Sequence, residues 1–101
     1  MATRTKVKTR LFDPVRYLDT PEMLGMYLEE AFETNDPAFI ADALGIVARA
    51  HGMTEIAKAT GLGRESLYKA LSAEGNPELA TILKVVAALG LRLTVAKAAK
   101  A

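Results

Sequence analysis

Proline and glycine divide this chain into short segments, and that punctuation decides what it can fold into. Thr20-Pro21-Glu22, Asn35-Asp36-Pro37, His51-Gly52, Gly61-Leu62-Gly63, Gly75-Asn76-Pro77 and Gly90 separate stretches whose apolar residues recur at helical spacing. Proline suits the first position of a helix but not its interior, and glycine takes the left-handed conformation that ends one. Five helices follow. The first starts at Pro21, with Thr20 as cap, Glu22 at the positive dipole end and an apolar stripe of Leu24, Leu28 and Ala31 beside Met23, Tyr27 and Phe32. The second carries Ile40, Leu44, Val47 and Ala48 and stops at His51-Gly52. A third runs from about Thr54 to Thr60, a fourth from Arg64 to about Ser72, and a fifth from Pro77 to Leu89. Leu79, Ile82, Leu83, Val86 and Leu89 form the expected stripe of the fifth. Beyond Gly90, Leu91-Arg92-Leu93-Thr94-Val95 alternates with period two, the signal of one short strand. The expected core contains Leu28, Leu44, Ile56, Leu67, Leu71, Ile82, Leu83 and Val86.

Composition agrees with an all-α domain. Of 101 residues, 50% are hydrophobic and 25% charged, as in an ordinary globular protein, and aromatics are only 6%. Alanine and leucine dominate, and both lose little side-chain entropy in a helix. The absence of cysteine removes a disulfide scaffold, a thiolate zinc site and a cysteine nucleophile together. No apolar run approaches the roughly 20 residues that span a bilayer, and the basic start lacks the apolar stretch of a secretory signal. No membrane association and a cytoplasmic location are therefore expected.

The net charge of +1 says little, but its distribution says more. Arg4, Lys6, Lys8 and Arg10 give the first ten residues +4, with no acid among them. In residues 11–35 six acids face Arg16 alone, a balance of −5, and residues 91–101 return to +3 through Arg92, Lys97 and Lys100. The expected organisation is a basic arm over residues 1–11, a folded domain over 12–96 and a basic tail over 97–101. Such ends and faces serve charged partners or are simply solvated.

The most informative stretch runs from Met53 to Leu71. Two short helices joined by three or four residues must cross closely. Ala57 supplies a small side chain at the crossing, Gly61 the positive φ of the turn, and Ile56, Leu62, Leu67 and Leu71 the grip on neighbouring helices. Arg64, Glu65, Tyr68 and Lys69 are then left on the outer side of the second helix, which can enter a DNA major groove with its first residues aimed at base edges.

This stretch resembles the helix-turn-helix of the phage-repressor (Cro/CI-like, XRE) family, and the resemblance continues through Gly75-Asn76-Pro77 and the amphipathic segment to Leu91. More narrowly, the chain is similar to HigA-like addiction-module antidotes. That similarity rests on Phe12-Asp13-Pro14 with Tyr17-Leu18, Asn35-Asp36-Pro37-Ala38, Gly61 to Leu71, and Gly90 to Val95. It implies a five-helix, lambda-repressor-like DNA-binding domain with a short C-terminal strand. It also implies a type II antitoxin that neutralises a RelE/ParE-like toxin and represses its own operon as a homodimer on double-stranded operator DNA. One departure stands out: Gly63 occupies the cap position where serine or threonine is common, a change worth a few tenths of a kcal/mol.

The family's base-reading role falls on Arg64 and Glu65. Arg64 either bridges a guanine edge or holds a phosphate; Glu65 either accepts from a cytosine amine or pairs with Lys69. Tyr68 is exposed on this reading or packs on the closing helix. Lys69 is expected to hold a phosphate, and Thr54 either donates to one or caps its helix. Arg4, Lys6, Lys8 and Arg10 would add phosphate or minor-groove contacts. Leu91, Leu93 and Val95 are expected at the two-fold or partner contact, because a lone strand seeks an edge. Glu22, Glu29 and Glu33 offer a face to a basic toxin, or to solvent.

His51, the single histidine, is expected as a dipole partner at a helix end rather than as a base. Neither a metal-ligand spacing nor a phosphate-cradling glycine loop is present, so no cofactor, metal or catalysis is expected. Two other readings remain. One is a prophage-type repressor without a toxin partner, and the other a helical interaction adaptor that no longer binds DNA. A toxin gene beside this one separates the first from an antitoxin; salt-dependent operator binding separates the second from both.

Overall fold

The computed structural model describes residues 20–98. The arm with Arg4, Lys6, Lys8 and Arg10, the block Phe12 to Leu18 and the last three residues of the tail lie outside them. Five α-helices follow in order: α1 (Pro21–Glu33), α2 (Pro37–His51), α3 (Met53–Thr60), α4 (Arg64–Ala70) and α5 (Leu79–Ala88). The described chain is all-helical, and each boundary has a chemical cause. Thr20 accepts from the Met23 N–H at 3.2 Å and Asp36 from the Ala38 N–H at 3.1 Å, each just before a proline that opens its helix. Asn35, with φ of 55°, makes the left-handed turn between α1 and α2. α5 closes at Gly90, φ 82°, where Gly90 and Leu91 donate to the carbonyls of Ala87 and Val86. Those two bonds satisfy carbonyls that a helix end otherwise leaves orphaned.

α1 packs on α2, α2 on α3 and α4, and α3 on both α4 and α5. The buried core runs through Leu24, Leu28, Leu44, Val47, Ile56, Leu67, Leu71, Val85, Val86 and Leu89. Burying one such side chain is worth about 1.5–3 kcal/mol. That matters most for α3 and α4, which are far shorter than the roughly 12 residues an isolated helix needs. They exist because Ile56, Leu67 and Leu71 are fully enclosed.

Three expectations need correction. Leu83 is 47% exposed and Leu79 65%, while Val85 is fully buried, so the buried face of α5 is turned from the one expected. Its sequence, Leu-Ala-Thr-Ile-Leu-Lys-Val-Val-Ala-Ala, is apolar on nearly every side, and periodicity alone cannot choose between two apolar stripes. Packing chooses Val85, Val86 and Leu89, with Ile82 half-buried. Second, α5 starts at Leu79 rather than Pro77, because Glu78 at its cap is extended, with ψ of 155°. Third, residues 91–98 form neither helix nor strand within the chain. The alternation holds only as far as Thr94: Leu91 and Leu93 pack against the core while Arg92 and Thr94 face out, but Val95, expected on the side of the two leucines, is exposed as well. Among the described residues no second extended segment lies beside it to supply the ladder bonds a strand needs.

Candidate nucleic-acid interface

α3, the turn at residues 61–63 and α4 make one compact unit. Gly61 sits in the left-handed region, φ 75°, and donates to the Ala57 carbonyl at 2.9 Å. Thr60 is the turn's clamp, and sequence reasoning missed it. Its buried hydroxyl donates to the Ile56 carbonyl at 2.7 Å and accepts from the Leu62 N–H at 3.2 Å. A threonine next to the turn glycine is the signal that pointed to it, since such hydroxyls bond nearby backbone. Gly63 caps α4 in an extended conformation with no side-chain bond, as the residue type requires.

α4 is fixed at its far end by two close backbone approaches. A Cβ on Gly45 would collide with the Leu71 carbonyl oxygen, so α2 touches the end of α4 without a side chain between them. A Cβ on Gly75 would collide with the carbonyls of Lys69 and Ala70. Ser72 donates to the Lys69 carbonyl at 3.0 Å and Gly75 to the Ser72 carbonyl at 2.9 Å, which turns the chain away from the helix axis at Leu71. This is why α4 stops at Ala70 rather than Ser72. A shallow open groove bounded by Ser66, Lys69, Ser72, Glu74 and Asn76 lies along this end.

With Leu67 buried, the rest of α4 faces outward: Arg64, Glu65, Ser66, Tyr68 and Lys69 are all exposed. Tyr68 is 39% exposed, so it is no core residue. Its ring instead lies under Arg64, whose guanidinium carbon is 5.8 Å from the ring centroid. That pairing also escaped the sequence reading, although arginine and tyrosine four residues apart on a helix signal it. Thr54, Glu55 and Lys58 are exposed on α3. Thr54 makes no cap bond for α3, whose cap is Gly52 with φ of 118°.

Elsewhere, Glu22, Glu29 and Glu33 are exposed on α1, and Met26 among them is 63% exposed. Leu91 and Leu93 are half-buried, whereas Val95 is 97% exposed. His51 ends α2, exposed, beside Arg49 in the last turn. Tyr27 has its phenol pushed above the ordinary value near 10, by burial first and by the Asp42 carboxylate second. Among the described residues, no group of three or more acid or histidine side chains is placed to hold a metal, and no helix is long and apolar enough to cross a membrane.

A protein-family profile described as "probable addiction module antidote protein" matches residues 8–97. A Haemophilus influenzae protein, described as uncharacterized, is 44% identical over 84 residues, which cover 83% of this chain and 87% of the relative. No solved structure matches significantly.

Proposed function

The chain belongs to the family of addiction-module antidotes, and on that premise we propose that it is a type II antitoxin that also binds its own operator. In this reading it neutralises a RelE/ParE-like toxin in the cytoplasm and represses transcription through α3 and α4, which act as a Cro/CI-type helix-turn-helix. The observation that carries the DNA half is the outer face of α4. Arg64, Glu65, Tyr68 and Lys69 stand exposed together on a helix whose one buried residue is Leu67. Arg64 and Glu65 are the base-facing pair, Lys69 and Thr54 hold phosphates, and the arm residues Arg4, Lys6, Lys8 and Arg10 add backbone contacts. The family membership favours an antitoxin over a prophage repressor without a partner.

The protein acts as a homodimer, because a helix-turn-helix dimer matches two operator half-sites. Support for this comes from the segment Leu91 to Val95: Leu91 and Leu93 pack on the core, Val95 stands 97% exposed, and among the described residues no strand pairs with its backbone edge. A second copy adding to that edge would complete the C-terminal strand. The acidic α1 face of Glu22, Glu29 and Glu33 meets the basic surface that a nucleic-acid-cleaving toxin needs.

Two measurements test this. Anisotropy titrations with the DNA upstream of the gene should give salt-dependent binding, and Arg64→Ala with Lys69→Ala should weaken it by at least about 1–3 kcal/mol. Untouched affinity in that double variant would remove α4 as the reading element. Co-expression with the adjacent gene should give a stable complex; its failure with every neighbouring small basic protein would leave the repressor reading in its place.

A further inference from the structure

The Arg64–Tyr68 pair carries information beyond exposure. A free surface arginine samples many rotamers and offers its donors in all directions, which is enough for a phosphate but not for a base edge. Side chains on a helix lean back over the preceding turn, so the ring of Tyr68 covers the ground on which Arg64 lies. The guanidinium carbon, 5.8 Å from the ring centroid, is within the range in which a cation is held by an aromatic face. A guanidinium held over a ring in this way gives up part of its rotamer freedom before any ligand arrives. Both partners are exposed at the outer end of α4, and the cap residue Gly63 leaves the approach to its first turn clear of a side chain.

We infer that Tyr68 is a positioning residue that presents Arg64 as an oriented two-donor fork, and that its target is a guanine, whose O6 and N7 accept in one plane on the major-groove edge. This rests on the proposal that α4 reads DNA. It goes further in naming the base class at one operator position and the residue that makes the arginine selective. A phosphate accepts from any orientation and would gain little from the restraint.

The test uses the full-length protein, a duplex carrying its footprinted upstream site, and a set of duplexes in which each G·C pair of a half-site is replaced in turn. Tyr68→Phe keeps the ring and should bind within about twofold of the parent. Tyr68→Leu removes it and should weaken operator binding about 2–5-fold, the loss expected of an exposed cation–ring contact. The loss should appear as reduced discrimination at one G·C pair, with non-specific affinity and the salt dependence unchanged, because no charge is lost. In an Arg64→Ala background, Tyr68→Leu should do nothing more. Unchanged thermal unfolding of Tyr68→Leu checks that the helix is intact. The inference is overturned if Tyr68→Leu weakens all sequences alike, acts equally without Arg64, or has no effect while Arg64→Ala does. If Arg64→Ala itself leaves operator binding unchanged, the fault lies instead with the reading of α4.

Discussion

Replacing a helix-interior glycine by alanine ordinarily stabilises, by about 0.8–1.0 kcal/mol of helix propensity. Gly25 in α1 and Gly45 in α2 should separate under that one chemical change. A Cβ on Gly25 would meet the Cδ2 of Leu91 at 3.6 Å, an ordinary contact, so the propensity gain survives. A Cβ on Gly45 would run into the Leu71 carbonyl oxygen and come within 3.1 Å of the carbonyl carbon. The obstacle is backbone, not the tip of a flexible side chain, so the end of α4 must move off α2. Overpacking of that kind costs about 1–3 kcal/mol, toward the upper end where backbone shifts. The expected result is Gly25→Ala more stable by about 0.5–1 kcal/mol and Gly45→Ala less stable by about 1–2. Urea unfolding followed by far-ultraviolet circular dichroism, at one protein concentration and with unchanged m-values, reads both. A Gly45→Ala variant as stable as Gly25→Ala would refute the close approach of α2 to α4.

The other expectations follow from single features. Leu67→Ala should cost about 2–5 kcal/mol in the same assay, since Leu67 is the buried anchor of α4 and is 1% exposed; a change under about half a kcal/mol would contradict its burial. Deleting residues 1–10 should weaken specific and non-specific DNA binding alike and make the salt dependence shallower, and an unchanged slope would show that the arm neutralises no phosphates. Replacing Glu22, Glu29 and Glu33 together by glutamine should slow toxin association and flatten its salt dependence in stopped-flow measurements, whereas equal rates at low salt would leave α1 as a solvated face. Folding holds the Tyr27 phenol protonated to higher pH than in the unfolded chain, so its contribution is complete below about pH 10 and is lost as pH rises through the raised folded value. Urea midpoints of the native protein should therefore fall above about pH 10, less steeply in Tyr27→Phe, and parallel curves would deny Tyr27 that role.

Much of the fold was legible because its boundaries are written in residues with strong backbone preferences. Thr20-Pro21, Asp36-Pro37, Gly61 and Gly90 each dictate a local geometry without help from the rest of the chain. The face of α5 was not legible, because Leu79, Leu83 and Val85 are equally apolar and only the shape of the surrounding helices distinguishes them. The outer residues of α4 could be named once Leu67 and Leu71 were assigned inward, since a seven-residue helix has little choice left. The work of Gly45 was invisible for the opposite reason: it matters through distant backbone, at Leu71, which no local pattern encodes. Residues 91–95 show the limit in another form. Their alternation is a property of one chain, but a strand is a property of two.

The division of labour within α4 sets how such a protein can diverge. Leu67, and Leu71 just beyond the helix, hold the element to the body, while Arg64, Glu65, Ser66, Tyr68 and Lys69 are exposed. Surface substitutions away from caps and cores usually change stability by no more than about half a kcal/mol. Changes at these five outward positions therefore leave folding nearly untouched. On the proposed reading of α4, a duplicated gene acquires a new operator by drifting at those sites while Leu67 and Leu71 keep the fold. Copies that share one scaffold can thus become insulated from one another inside the same cell.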